Sequence, residues 1–466
     1  MDGFQMELLA HLPLGQAVLK LFDYSLDPAF LAGLYEKHRG RCYEKELTFE
    51  RLTYLIRDAL VVNHGSGRQS FDQAKRNDQL PVARQNAYAK LGRVPLDVST
   101  ALLSGGAARL LELMPSGAGG PGLPASLACL TPIPIDGKKI KNAAKRLKAL
   151  RSLPGKMLGG KLLVALSLPT GLAIAMQADP DGERNDVPLV PGLVGQVRAL
   201  GYLRVLWIAD RQFADLKMWN LLTEGDDHFL IRCTSKLSFQ ADPFRPAQEG
   251  LDGQGRRYVQ QWGWAGSTTH KHRRYIRRIT LFRPGEEDIV LATDLLDERS
   301  YPAVDLLEAY LRRWGIERMF QQVTEVMELR RLIGSTPQAM IFQSALCFLL
   351  YNQIELLKAY AAADGGKRPE QVSGELLFRD VRKELETWAY LGKPELTARL
   401  LPNMTESEPL RQWLSGRLTG VWRDGWLKSP TRKRAAKPKA RVAKANGDGG
   451  HTSVWRALQD ARNRSP

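Results

Sequence analysis

The sequence predicts an α/β protein, a mixed sheet flanked by helices with an all-helical region in front of it. Three observations lead there. Residues 4 to 114 repeat apolar side chains at helical spacing, as in Leu52, Leu55, Ile56 and Leu60. Residues 130 to 233 instead alternate short apolar runs of strand length with helical stretches. Between them lies Pro115-Ser-Gly-Ala-Gly-Gly-Pro-Gly-Leu-Pro124, too rich in Gly and Pro to hold a helix or a strand. With 466 residues, the chain is long enough for two or three domains.

In order along the chain, residues 1–114 are expected to form a helical DNA-binding region. Within it Pro81 to Leu91 resembles the second helix of a helix-turn-helix, with Arg84, Gln85 and Lys90 on its polar face. An ordinary solvated helix face fits that segment equally well. Residues 115–126 form a linker. Leu130 to Ile135 is a strand ending at Asp136-Gly137, and Lys161 to Ser167 and Gly171 to Gln177 form a hairpin around Pro169-Thr-Gly171. A helix follows near Val194 to Leu200. Arg204 to Ala209 is a buried strand ending at Asp210, Ala214 to Leu222 a helix, and His228 to Cys233 a strand.

Residues 236 to 278 are irregular and rich in Gly, Arg and Trp. Ile279 to Phe282 and Ile289 to Thr293 read as strands. Pro302 to Leu332 reads as one long helix and Ala339 to Ala359 as a second, more apolar one, with smaller helices in 361–427. The basic stretch from Lys428 to Arg441 nearly lacks large apolar residues, and 428–466 is expected to be a disordered tail.

Composition narrows the function. Lys and Arg number 67 against 50 Asp and Glu, a net charge of +17. That surplus favours a polyanionic partner: DNA, RNA or an acidic membrane surface. Cys42, Cys129, Cys233 and Cys347 form no CxxC pair, which argues against a zinc site or a disulfide framework and fits a reducing cytoplasm. Residues 1 to 20 do not read as a secretory signal. The apolar stretch Ile341 to Ile354 carries Gln343, Ser344, Asn352 and Gln353, and reads as a buried helix too short and polar to span a bilayer.

Three acids carry the chemistry. Asp136 and Asp210 each follow an apolar strand, where open sheets place ligand sites, and Glu317 lies inside the long helix. Each alone has a structural explanation: Asp before Gly is a common turn, Asp210-Arg211 a helix start, Glu317 a surface charge. Together they supply the hard oxygen ligands that Mg²⁺ prefers. Two metals roughly 4 Å apart activate the attacking oxygen and stabilise the leaving one in phosphodiester chemistry.

Asp136-Gly137, Asp210-Arg211 with Phe229-Leu-Ile-Arg232 after it, Tyr310-x-x-Arg313-x-x-x-Glu317 and Leu332-Ile-Gly-Ser-Thr-Pro-Gln338 together resemble the insertion-sequence-four family of DDE transposases over residues 130 to 360. The resemblance implies a ribonuclease H-like catalytic domain at 127–360 with a β-rich insertion at about 236–300. It further implies two Mg²⁺ or Mn²⁺ ions held by Asp136, Asp210 and Glu317. Action on DNA by a homodimer, with cleavage of terminal inverted repeats and strand transfer into target DNA, follows from it as well. Tyr310 and Arg313 match the family's signature tyrosine and arginine, and Arg313 is suited to a DNA phosphate. The signature lysine seven residues after the glutamate is Thr324 here, and Arg331 lies seven residues further on.

Further DNA contacts are expected from Arg211 and from Arg273 and Arg274, in a basic cluster with Lys271, Arg277 and Arg278 beside Trp262 and Trp264. For the tryptophans, the core of the insertion is the slightly favoured alternative. The run Lys138 to Lys148 adds basic charge after Asp136. Two other functions fit these residues: a noncatalytic DNA-binding protein derived from a transposase, and a structure-specific nuclease with no joining step.

Overall fold

The computed structural model describes residues 2–42, 44–115, 123–234, 237–327, 329–392, 394–429 and 451–463. Seven helices precede the first strand: α1 (Asp2–Ala10), α2 (Pro13–Ser25), α3 (Pro28–His38), α4 (Phe49–Val61), α5 (Gly67–Arg76), α6 (Arg84–Leu91) and α7 (Leu96–Leu111). Then come β1 (Thr131–Lys139), β2 (Met157–Leu158), β3 (Lys161–Leu166), β4 (Ala173–Asp179), α8 (Val190–Ala199), β5 (Val205–Ala209), α9 (Leu216–Leu222) and β6 (His228–Cys233). The strands β7 (Phe239–Ala241), β8 (Gln248–Leu251), β9 (Arg257–Ala265), β10 (Arg274–Leu281) and β11 (Ile289–Thr293) follow. The chain continues with α10 (Ala303–Arg312), α11 (Trp314–Glu325), α12 (Pro337–Asp364), α13 (Gly374–Leu391), α14 (Pro394–Leu400), α15 (Ser407–Arg417), β12 (Thr452–Ser453) and α16 (Val454–Asn463).

The main sheet runs β4-β3-β1-β5-β6-β11-β10-β9-β7, with β8 on β9. Its first three strands are antiparallel, while β1, β5 and β6 are parallel, the ribonuclease H-like arrangement that the resemblance implies. Pro132 and Pro134 are tolerated in the central strand β1 because their nitrogens face the side where β3 joins only from Ile135 onward. The insertion is not irregular. β9, β10 and β11 pair antiparallel in sequence and dock on β6, so they extend the same sheet. Two of the residues that obscure its alternation, Trp262 and Arg277, are fully buried packing residues.

Strand alternation assigns the two faces. Ile133, Ile135, Leu163, Ala165, Val205, Trp207 and Ala209 point to one face, covered by α8 and α9. Leu162, Val164, Leu206 and Ile208 point to the other, covered by α7, α11 and α12. The N-terminal helices join this second core: buried residues of α2, α3, α4 and α7 belong to it, and α7 packs on both β4 and α12. Helix α12 is 28 residues long and buried along nearly its whole length. Its length and apolar composition pass the test for a membrane span, contrary to expectation, but the qualifying window is wholly buried inside the protein.

Two expectations, one from helical spacing and one from composition, are corrected. The single helix 302–332 is two helices with a turn at Arg313, and the second ends at Glu325 before the chain loops to Pro337. Spacing alone does not reveal the break, because Arg313 keeps helical dihedrals. The expected tail is not disordered to its end. Thr452 and Ser453 pair with β2, and α16 buries Val454 and Ala457. The stretch 430–450 and the glycine-rich 116–122 lie outside the described residues.

Candidate active site

The site begins with strand register. β1 and β5 pair in parallel, with Ile133 opposite Trp207 and Pro134 opposite Ile208. The same offset carried two residues further sets Asp136 beside Asp210. Asp136 lies within β1, since pairing to Val164 of β3 carries that strand on to Lys139; the pairing with β5 ends two residues earlier, at Pro134. By alternation both aspartates share the face of Pro134, Leu206 and Ile208. That is the face on which α11 packs through Ile316, Met319, Phe320 and Val323. The third acid, Glu317, sits on that helix.

Arg313 stands among the three carboxylates. One of its amino nitrogens lies 2.9 Å from Glu317 Oε1 and the other 3.9 Å from Asp136 Oδ2, and its side chain is 4 % exposed. Burial alone would lower its pKa, but the charges of Tyr310, Asp210, Glu317 and Asp136 outweigh that and hold it above the usual arginine value. Tyr310 is buried, with its ring 5.6 Å from the Arg313 guanidinium, and burial raises its hydroxyl. Tyr310, Arg313 and Glu317 thus share one face across the helix break.

Burial pushes the Asp136 carboxyl up to about 6, with the charges of Glu317 and Asp186 adding to it, against the Gly137 backbone N–H and Arg313. Asp210 Oδ1 is buried with no hydrogen-bond partner. An orphaned carboxylate oxygen and a strained one, on adjacent strands, are what a divalent cation would satisfy. As they stand, no three His, Cys, Asp or Glu side chains among the described residues are arranged to hold a metal ion. The Glu317 carboxylate is drawn to Arg313 instead.

Asp186 carries no local motif and escaped the sequence reading. It is buried behind β1, 2.6 Å from Lys161 Nζ. A Cβ at residue 137 would lie 2.2 Å from its carboxylate, so Gly137 is required by close packing and not by a turn. Lys138, expected only as part of the basic run after Asp136, is half-buried beside α11. Its ammonium lies 5.1 Å from the Phe320 ring, and burial with the nearby Lys141 lowers it to about 8.

The residues expected to bind DNA fall into different settings. Trp262 is fully buried; its indole N–H donates to Leu296 O at 2.8 Å and its ring lies between Arg245 and Arg277. The stacking role is therefore corrected for Trp262, whose ring is covered on its neighbours' account. Trp264 is 40 % exposed, with the Arg273 guanidinium 4.7 Å from its ring. Arg274 ties the insertion to α9 through Trp219 O, Asn220 and Thr223. Arg211 is exposed, 3.5 Å from Glu287.

Thr324 Oγ1 donates to Phe320 O within α11. Arg331 lies beyond the end of that helix and donates to His64 O, so it does not continue the Glu317 face. Arg84, at the start of α6, pairs with Asp72 at 2.6 Å.

Residues 131–353 match the family described as "Transposase DDE domain". The matched span opens with β1 and closes within α12, so all three acids fall inside it. Among solved structures, the chain is similar to one described as "Cryo-EM structure of piggyBac transposase synaptic complex with hairpin DNA", with a TM-score of 0.42 and 14 % identity over 88 % of each chain. No curated protein matches the chain.

Proposed function

We propose that this protein is a DDE transposase of the insertion-sequence-four type. It binds the terminal inverted repeats of its own element and catalyses cut-and-paste DNA cleavage and strand transfer. One observation carries the reading: the parallel register of β1 and β5, extended by two residues, brings Asp136 beside Asp210 just past the end of β5, on the face where the helix that bears Glu317 packs. The match of residues 131–353 to transposase DDE domains supports it.

Asp136, Asp210 and Glu317 would hold two Mg²⁺ or Mn²⁺ ions. When bound, such ions supply Lewis-acid activation of the attacking oxygen and stabilisation of the leaving one. The chain's own residues do the rest. The strand aspartates are fixed by sheet register. Glu317 is partly exposed, is paired with Arg313, and would join them by exchanging that partner for a cation. Arg313, released from Glu317, is then placed to pair with a DNA phosphate oxygen. Arg211 and Trp264 are exposed and Arg273 is half-buried beside Trp264, and these residues are suited to backbone contact and base stacking. A homodimer would hold the paired ends.

The test is incubation of the purified protein with duplexes carrying the element's inverted repeats, in Mg²⁺, Mn²⁺ or EDTA, with mapping of cut and joined strands. The expected result is metal-dependent cleavage at the ends and joined products. Cleavage without joining would assign a nuclease, and binding without cleavage a noncatalytic derivative. Full activity in EDTA would end the metal reading.

A further inference from the structure

A second positively charged region is built away from the three acids. Where α5, α6 and the loop between α11 and α12 meet the chain leaving β1, they enclose an open groove of about 780 Å³. Arg68, Arg84, Arg93, Arg146 and Arg462 line it, and no Asp or Glu does among the described residues. The nearest carboxylate in these ion pairs is Asp72, shared between Arg84 at 2.6 Å and Arg68 at 3.6 Å. Five guanidinium groups against one carboxylate repel one another unless an anion lies between them.

The arginines are also positioned. Arg146 donates to Ile333 O at 3.1 Å, and the Arg93 Nε–H donates to Ala89 O at 3.1 Å. Backbone carbonyls hold these two, which leaves their charge uncompensated. The floor is closely packed: a Cβ at Gly67 would fall 2.3 Å from Ile333, and one at Gly334 2.2 Å from Ala339. The groove is therefore a product of tight approach between the N-terminal helices and the segment after Glu317. The final helix α16, held on β2 and by the Arg456 pairs with Asp181 and Glu183, brings Arg462 to its rim.

We propose that this groove is a docking site for the phosphate backbone of duplex DNA, separate from the metal-binding acids. The inference rests on the reading of the protein as a DNA transposase, which selects DNA among polyanions. Planar guanidinium forks suit phosphate oxygens bidentately, and contacts of this kind carry affinity and register without base recognition. Both walls are continuous in the chain with the acid site. Arg146 follows Asp136 along the basic run that begins at Lys138, and Leu332 to Thr336 follows the helix of Glu317. A duplex held in the groove is thereby anchored to the two elements that carry the acids.

The experiment measures binding of the full chain to a short labelled duplex of random sequence by fluorescence anisotropy, across a potassium chloride series in EDTA. EDTA keeps metal at the acid site from contributing. The variants are the triple Arg84→Gln/Arg146→Gln/Arg462→Gln, the double Arg68→Gln/Arg462→Gln, and Arg257→Gln on the β8–β9 edge as a control for net charge. Each lost phosphate contact should reduce the salt slope by ~0.9. The triple should lose about two to three slope units and bind roughly 10–100-fold more weakly, while Arg257→Gln keeps the wild-type slope.

If wild type does not bind the duplex, both this proposal and the transposase reading fall. If wild type binds and the folded triple keeps its slope, only the groove falls. Should the triple melt early through loss of the Arg146 contact, the double decides. Arg68 and Arg462 are both exposed, and an unchanged slope there overturns the groove as well.

Discussion

The strand side of the site and its helix side hold their acids by different means. Asp136 and Asp210 follow from hydrogen-bonded register in the centre of a sheet, with buried apolar neighbours on both faces. Asp136 is further wedged by Gly137 against the buried Asp186–Lys161 pair. Glu317 follows a break in its helix, and its partner is Arg313, which also reaches toward Asp136. One side is rigid and preformed; the other has room and a competing partner. The difference teaches that a carboxylate triad can be two-thirds built by the fold, with its last member left to an exchange of partners.

The largest expected effect separates chemistry from metal capture. Asp136→Asn, Asp210→Asn and Glu317→Gln should each reduce cleavage at least ~10³-fold, the several kcal/mol that metal assistance supplies. Metal-induced stabilisation should distinguish them. In a thermal-shift titration with Mn²⁺, the two aspartate variants should lose the shift, while Glu317→Gln keeps part of it because the strand pair still offers two hard ligands. Equal loss in all three would break the comparison and make Glu317 a founding ligand.

How legible this site was in the sequence follows the same division. Apolar runs ending at Asp136 and Asp210 mark strands, and strand periodicity is strong enough to place both acids on one sheet. The strand-hairpin-helix order likewise foreshadows the mixed sheet. The helix break at Arg313 was not legible, since a one-residue turn leaves the 3.6-residue period nearly intact. Asp186 and Arg462 were not legible either, because each reaches its neighbours across long stretches of chain and carries no local pattern. Trp262 and Trp264 look alike in sequence, two residues apart on β9. Yet one is fully buried between two arginines and the other is 40 % exposed. The two share a face of the sheet, so the contrast depends on how far along the strand that face is covered.

A second expected effect compares two glycines, one on each side. Gly137→Ala would drive a Cβ to 2.2 Å from the Asp186 carboxylate, which is buried and bound to Lys161. Overpacking of this kind costs ~1–3 kcal/mol, and disturbing a buried ion pair adds to it, so about 3 kcal/mol of destabilisation is expected in urea unfolding. Gly315→Ala, beside Arg313 on α11, meets nothing closer than Leu166 at 3.6 Å. It should be tolerated, with a gain of up to about 1 kcal/mol from helix propensity. A tolerated Gly137→Ala would show that the strand side yields as readily as the helix side.

The smallest effect concerns the charge that the rigid side carries without metal. The Asp136 carboxyl is raised from its ordinary value to about 6, chiefly by burial. The sign follows from proton linkage: at pH values between the unfolded carboxyl, ~4, and the folded one, the native state holds a proton that the unfolded chain has released. Native stability is therefore full below about pH 4 and is lost as pH rises toward 6. The Asp136 side chain is 17 % exposed, so the loss should be discounted to about 1–2 kcal/mol. Asp136→Asn removes this titration. In EDTA the variant should be more stable than wild type at pH 7, and the advantage should vanish near pH 4. Urea unfolding at several pH values measures it. If Asp136→Asn is instead less stable at pH 7, its contacts with Gly137 and Arg313 outweigh burial, and the strand side is not held under electrostatic strain.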